Sequence, residues 1–217
     1  MRIRSYLSAV VLSIACTFVA GNASADVAGA QTFVEREHGK IKKLVEGSAP
    51  SDQVRQAIDA MVDYDELARR TLGKPCPATI PSCKNHWDEL TSAQQAEVTK
   101  KLRALVVNNY QKNLKKTRDY DVTYRGAKEQ ADSLSKVRTE AKSKLKPRDP
   151  AVQVDYVIMG HDDRYWIVDI VTEGSSMTKN YYDQFHRMLT TPGQQYPYLI
   201  KKLDDKIASS AAALNKP

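Results

Sequence analysis

Beyond its first 25 residues the chain has no run approaching the roughly 20 apolar residues that a bilayer-spanning helix needs, so no helical span is expected there. The phosphate cradles G-x-x-x-x-G-K-[ST] and G-x-G-x-x-G are both missing. Ser175 and Ser176 follow Gly174, but no G-x-S-x-G elbow surrounds them. No basic stripe interleaves with aromatic residues, which argues against a nucleic-acid partner. Cysteine is scarce, three in 217 residues. Cys76 and Cys83 are separated by six residues, which matches neither a redox C-x-x-C nor a four-ligand zinc site.

Histidine is scarce too, and His38, His86, His161 and His186 fall in different elements with no second ligand at a metal-type spacing. His38 with Glu35 and Glu37 reads as a solvated helix face. His161 with Asp162 and Asp163 reads as a hairpin tip, with cation binding as the alternative. Asp63, Asp65 and Glu66 beside Arg69 and Arg70 read as a capped, ion-paired helix start, with the acid pair of a hydrolase as the alternative. No nucleophile with its base is visible, so the chain reads as a protein that is not an enzyme.

What is present begins with Arg2 and Arg4, an apolar run from Leu7 to Ala20, and the small residues Ala23, Ser24 and Ala25, the pattern of a secretory signal peptide over residues 1–25. Cys16 as a lipid-acceptor cysteine is the competing reading, but Ser13 stands where a lipobox has leucine. A soluble, exported chain starting at Asp26 is expected. Of the 33 basic residues, 31 follow this segment against 26 acidic ones, and the modest excess points to an anionic lipid or an acidic partner. In an oxidising compartment Cys76 and Cys83 read as a disulfide across a proline-rich loop.

The first half carries helical periods. Phe33, Val34, Glu37, Ile41, Leu44 and Val45 form one stripe, closed by Gly47 and Pro50. Val54, Ala57, Ile58, Met61 and Val62 form another behind a Ser51 N-cap. A short helix is expected from Asp65 to Leu72 and ends at Gly73. Thr91 to Gln94 opens the longest helix, whose apolar face is read through Val98, Leu102, Leu105, Val106, Asn109 and Tyr110. The period then changes to two. Tyr120, Val122 and Tyr124; Val137, Thr139 and Ala141; Val152, Val154, Tyr156 and Ile158; and Trp166, Val168 and Ile170 mark four antiparallel strands, the last two joined by a hairpin at 160–164. Helices over 178–189 and 196–208 complete a single domain spanning 26–208, and 209–217 is expected to be a flexible tail. The expected class is α+β, helices packed on a mainly antiparallel four-stranded sheet.

Val62 to Gly73 and the run from Trp166 to Phe185 resemble two segments of the MlaC family, periplasmic phospholipid-binding components of the Mla pathway also called toluene-tolerance auxiliary proteins. Val62 to Gly73, VDYDELARRTLG, resembles the family stretch VDFDxMARxxLG. Trp166 to Met177 and Asn180 to Phe185 are similar to WxVYDVxxxGxSL and NYRxQF. Tyr182 stands in place of the usual arginine, Ile170 and Ser176 are milder departures, and the loop from Lys74 to Lys84 is longer than usual.

The resemblance implies a curved sheet, NTF2-like in its sheet portion, with an apolar cavity between it and the helices. It also implies a periplasmic, monomeric shuttle that maintains outer-membrane lipid asymmetry, with bound phospholipid as cargo and no cofactor. Its implied partners are an inner-membrane ABC transporter complex with an MCE-domain ring and an outer-membrane lipoprotein and porin complex. The candidate lining is Leu102, Leu105, Val106 and Tyr110 from the long helix, Val154, Tyr156 and Ile158 from the third strand, Ile167 from the fourth, and Met177, Phe185 and Leu189 beyond it. These residues can equally fill a solid core. Lys112, Lys115, Lys116, Arg118, Lys142, Lys144, Lys146 and Arg148 are candidates for docking to acidic surfaces or lipid phosphates, or form a solvated face. A secreted NTF2-like enzyme and a non-lipid envelope adaptor remain the alternatives.

Overall fold

The computed structural model describes residues 26–214 apart from 78, 131–132 and 162–163, and not the side chains of 113–117. The expected signal peptide with Cys16, the Asp162–Asp163 tip, the side chains of Lys115 and Lys116, and the last three tail residues lie outside the described residues. Helix α1 spans Val27–Glu46, α2 Ser51–Asp59, α3 Tyr64–Thr71 and α4 Ser92–Thr117. Strands β1 Tyr120–Glu129, β2 Leu134–Ser143, β3 Val152–His161, β4 Arg164–Thr172 and the two-residue β5 Ser175–Ser176 follow. Helices α5 Met177–Thr190 and α6 Gln195–Leu214 end the chain.

Local chemistry sets the helix ends. Asp26 caps α1 by accepting from the Gly29 N–H, and Asp63 caps α3 by accepting from the Glu66 N–H, each at 2.9 Å. Acids at the start of α3 and arginines at its end suit the helix dipole, and Glu66 pairs with Arg70 at 2.7 Å and Arg69 at 3.4 Å. The acidic group is thus the capped, ion-paired helix start. Gly73 ends α3 at φ +82°, where a β-carbon would meet the Lys84 carbonyl oxygen at 2.5 Å. Thr91 and Gln94 form a reciprocal capping box before α4.

Two expectations are corrected at the helix ends. Ser51 is the first residue of α2 rather than its cap, because Pro50 takes the cap position, and the Ser51 hydroxyl oxygen instead accepts from Gln111 Nε2 at 3.0 Å. Residues 209–214 are helical rather than frayed. Ala211 to Ala213 are strong helix formers, and buried Ser210 ties the end of α6 to Asn108 at 3.1 Å.

The strands form one antiparallel sheet in the order β1-β2-β3-β4-β5. It has five strands where four are expected, because Ser175 and Ser176 turn back and pair with Thr172 and Val171 before α5 begins. A bulge lies between Tyr124 and Ala127, where Gly126 takes φ +91°. The segment before α3 is stitched to β4, with the Ile167 N–H donating to the Met61 carbonyl at 2.7 Å and the Asp63 N–H to the Ile167 carbonyl at 3.2 Å.

Two cores result. In the first, α1 and α2 cover Val137, Ile158 and Ile167 of the sheet through Phe33, Val34, Ile41, Val54 and Ile58. The second is built from the helices: Leu67 of α3 and Leu72 at its C-cap, Val98, Leu102 and Leu105 of α4, Phe185 of α5, and Leu199 and Leu203 of α6. Helix α4 serves both. Val107, absent from the expected stripe, is buried in the first core, while Val106 packs at the edge of the second and Asn109 is exposed. A helix crossing two cores needs two apolar stripes, and a single-face reading finds only one.

Candidate functional site

Where α1 leaves the sheet, a cavity of about 360 Å³ opens between α1, the far part of α4, β1 and β3. Period 3.6 aims His38, Ile41 and Val45 of α1 inward, with Tyr110 of α4 beside them. Period 2 brings Tyr120, Val122 and Tyr124 of β1 to the same space, and β3 adds Tyr156. Glu35, Lys42, Glu46 and Arg118, all exposed, form the rim. Arg118 also donates to the Val45 carbonyl, which holds its guanidinium at the end of α1.

The interior is polarisable yet uncharged. His38 Nδ1 lies 3.1 Å from the Tyr124 hydroxyl, and its ring meets Tyr156 edge-on with centroids 4.8 Å apart. Burial pushes the His38 imidazole down to about 4, so it is neutral near pH 7. Burial likewise pushes the Tyr110 phenol up to about 12, with Tyr124 adding to the effect. Tyr156 is raised by burial first and then by Tyr110 and Tyr124, and Tyr124 by burial and the Glu35 charge. The walls therefore stay neutral through the physiological range while ionic groups stay at the mouth, an arrangement suited to an apolar tail with a polar end.

Of the eleven candidate lining residues, Tyr110 and Tyr156 line this cavity. Ile158 and Ile167 are buried in the first core below it. Leu102, Leu105 and Phe185 sit in the second core, with Val106, Met177 and Leu189 packed against it. Val154 is half-buried on β3 between Thr139 and Thr172 and is not in the cavity wall. His38, expected on a solvated face, is half-buried in that wall, because β1 and β3 lie against its side of α1. Its neighbour Glu37 is buried as well, paired with Arg36 at 2.7 Å and Lys40 at 2.8 Å. The sequence reading also passes over Ile41, Val45, Tyr120, Val122 and Tyr124 as lining residues; the alternation of β1 was the available signal for the last three.

The disulfide joins Cys76 and Cys83. The loop it closes is held by groups far away in sequence. The Tyr182 hydroxyl accepts from the Lys84 N–H at 2.8 Å, and the Tyr182 ring stacks on His186 at 5.5 Å. His86 Nε2 meets His186 Nδ1 at 2.8 Å, and its Nδ1 meets Glu89 at 3.1 Å. Two of the four histidines are thus in contact, although each looks isolated in sequence. Burial lowers the His86 pKa, with Glu89 opposing. Tyr182 thus anchors the chain where it leaves the disulfide loop. Among the described residues no group of three His, Cys, Asp or Glu side chains is placed to hold a metal, and no helix is long and apolar enough to cross a membrane.

A second depression of about 260 Å³ lies between the disulfide loop and the sheet. Arg70, Gln130, Asp169, Thr178 and Lys179 make it polar. The Asp169 carboxylate there already accepts from the Ile170 and Thr178 N–H groups and the Ser176 hydroxyl. It is the poorer match to an apolar ligand.

Residues 40–205 match the family described as MlaC protein. The fold is similar to that of the phospholipid-binding protein from Ralstonia solanacearum, solved in complex with a phospholipid. That likeness has a TM-score of 0.66 at 20% identity and covers 84% of this chain and 98% of the other. No curated protein matches the chain.

Proposed function

From the premise that the chain belongs to the MlaC family, we propose that its tyrosine-lined cavity holds the acyl part of a phospholipid and that the protein carries this lipid between the outer and inner membranes. The observation that carries the reading is the cavity itself, with aliphatic and phenolic walls and charges only at the rim. A two-chain lipid has on the order of 30 methylenes. At about 0.8 kcal/mol each, leaving a bilayer for water costs roughly 20 kcal/mol or more. A carrier lowers that barrier by replacing the bilayer with a dry wall while the phosphate stays wet.

In this reading Ile41, Val45 and the tyrosine rings take the tail, and Arg118 and Lys42 lie where a phosphate would emerge. A volume of about 360 Å³ lies toward the lower end of the roughly 300–1,000 Å³ range of ordinary ligand sites. Two tails therefore need α1 to move outward from the sheet. The reading places the protein in the periplasm, exchanging lipid with an inner-membrane MCE-domain transporter and an outer-membrane lipoprotein and porin complex, and makes it a binding protein rather than an enzyme.

Organic extraction and mass spectrometry of protein purified from cells test the proposal. A phospholipid near one per chain is the expected result, and an empty protein would count against it. Val122→Trp supplies the matched control. Val122 is 44% exposed at the mouth, so the indole should obstruct the cavity and lower bound lipid several-fold without unfolding the chain.

A further inference from the structure

Among the described residues, the large apolar side chains that are exposed are Val122, at 44%, and Leu145, at 73%. Both lie at one end of the molecule. Val122 lines the cavity mouth, and Leu145 sits in the loop joining β2 to β3, beyond the pairing of Tyr120 with Ser143. The loop sequence from Lys142 to Pro150 puts Lys144 and Lys146 on either side of Leu145, with Lys142 and Arg148 beyond them.

This loop is fixed rather than loose. The Lys144 N–H donates to the Asp119 carbonyl at 2.7 Å, and its ammonium donates to the Arg118 carbonyl at 2.9 Å. The Lys146 N–H donates to the Ser143 hydroxyl oxygen at 3.1 Å, the Asp149 N–H to the Lys146 carbonyl at 3.1 Å, and Lys142 to the Asp149 carbonyl. Pro147 and Pro150 stiffen the turn further. Lys144 spends part of its charge on Asp121 at 3.4 Å. Among the described residues no carboxylate pairs with Lys146 or Arg148. The backbone contacts run to Arg118 and Asp119, so the loop stands beside the rim residue Arg118.

We propose that the β2–β3 loop is a docking element for an anionic lipid surface, with Lys146 and Arg148 against the phosphates, Leu145 in the headgroup–acyl boundary, and the cavity mouth held at the membrane. Basic residues around an exposed aliphatic side chain are the pattern of interfacial attachment. A prefolded loop has little ordering entropy to lose on binding. The purpose of this contact rests on the lipid-carrier reading, but its occurrence does not.

The test is co-sedimentation of the purified protein with phosphatidylethanolamine vesicles, with and without added phosphatidylglycerol, at low and high salt. The protein should pellet with the phosphatidylglycerol vesicles and be released by salt. At about fivefold per cation near such a surface, Lys146→Gln with Arg148→Gln should lower partitioning roughly 25-fold. Leu145→Ser should weaken it independently of salt. These residues lie outside the cavity lining, so thermal melting and copurified lipid should match the unmodified protein.

Equal pelleting with and without phosphatidylglycerol, or undiminished binding by the double variant, overturns the proposal. So does a double variant that keeps its hold on vesicles but loses an acidic protein partner, since the loop is then a protein-docking element. An unmodified protein that binds vesicles yet copurifies without lipid counts against the cavity reading and leaves the docking element standing.

Discussion

The two larger cores of this molecule are built from different residues, one closely packed and one with space left at its end. Around the second, leucines, valines and Phe185 from four helices interlock, and Leu102, Leu199 and Leu203 are essentially inaccessible. Around the first, α1 meets the sheet through aliphatic residues near Ile158 and Ile167, then through tyrosines and His38, and the tyrosine end is where space is left. Leucine side chains are branched and adapt to one another. Phenol rings are long and rigid, and those of Tyr110, Tyr124 and Tyr156, on α4, β1 and β3, line the open end. A stabilising core and a receptive cavity therefore lie side by side, coupled by α4, which contributes Leu102 and Leu105 to one and Val107 and Tyr110 to the other.

The largest expected effect probes the compact half. Leu102→Ala should cost about 3 kcal/mol in urea or thermal denaturation, because Leu102 has no exposed surface, while bound lipid is retained in the fraction that folds. Loss of lipid at unchanged stability would break the division. Replacing Cys76 and Cys83 by alanine should cost about 2–3 kcal/mol, the loop-entropy value for so short a ring. The cavity should be unaffected, since no residue of α3, α5 or the disulfide loop lines it.

Acidification acts on both halves through His38 and His86. The pKa values of His38 and His86 are both depressed in the fold, so their stabilising contribution is complete above the unfolded value of about 6.5. For His38 it declines as pH falls from there toward about 4, because the unfolded chain takes up a proton that the folded chain refuses. Melting at stepped pH should show the decline, by up to about 1.4 kcal/mol per pH unit for His38. His38→Gln should flatten it in part, and an unchanged slope would mean that His38 is solvated after all. Smallest of all, Tyr182→Phe removes the hydroxyl that accepts from Lys84. It should cost about 1 kcal/mol and speed proteolysis of the disulfide loop without altering cargo.

Much of the architecture was legible in residue spacing. The 3.6 period located α1 through α6, and the alternation from Tyr120 to Ile170 located four strands of the sheet. The fifth escaped because Ser175 and Ser176 carry no apolar alternation and pair only through their backbone. The site was far less legible. Tyr110 and Tyr156 were reachable from the periods of α4 and β3, whereas Leu102 and Phe185, equally apolar and equally inward, belong to the packed core. His38 was misplaced because Glu35 and Glu37 beside it suggest solvent, yet one turn of α1 puts the imidazole against β1 and β3.

By itself the amino-acid sequence determined the helices, the antiparallel meander, the bridge between Cys76 and Cys83 and the family likeness, because each depends on nearby residues or on a recurring pattern. Only the tertiary structure decided that Tyr182 secures the disulfide loop, that His86 meets His186, and that the free volume lies at the tyrosine end of α1. A period says which way a side chain points. What stands opposite, and whether the two touch, depends on how separate layers meet, and a cavity is a property of that meeting.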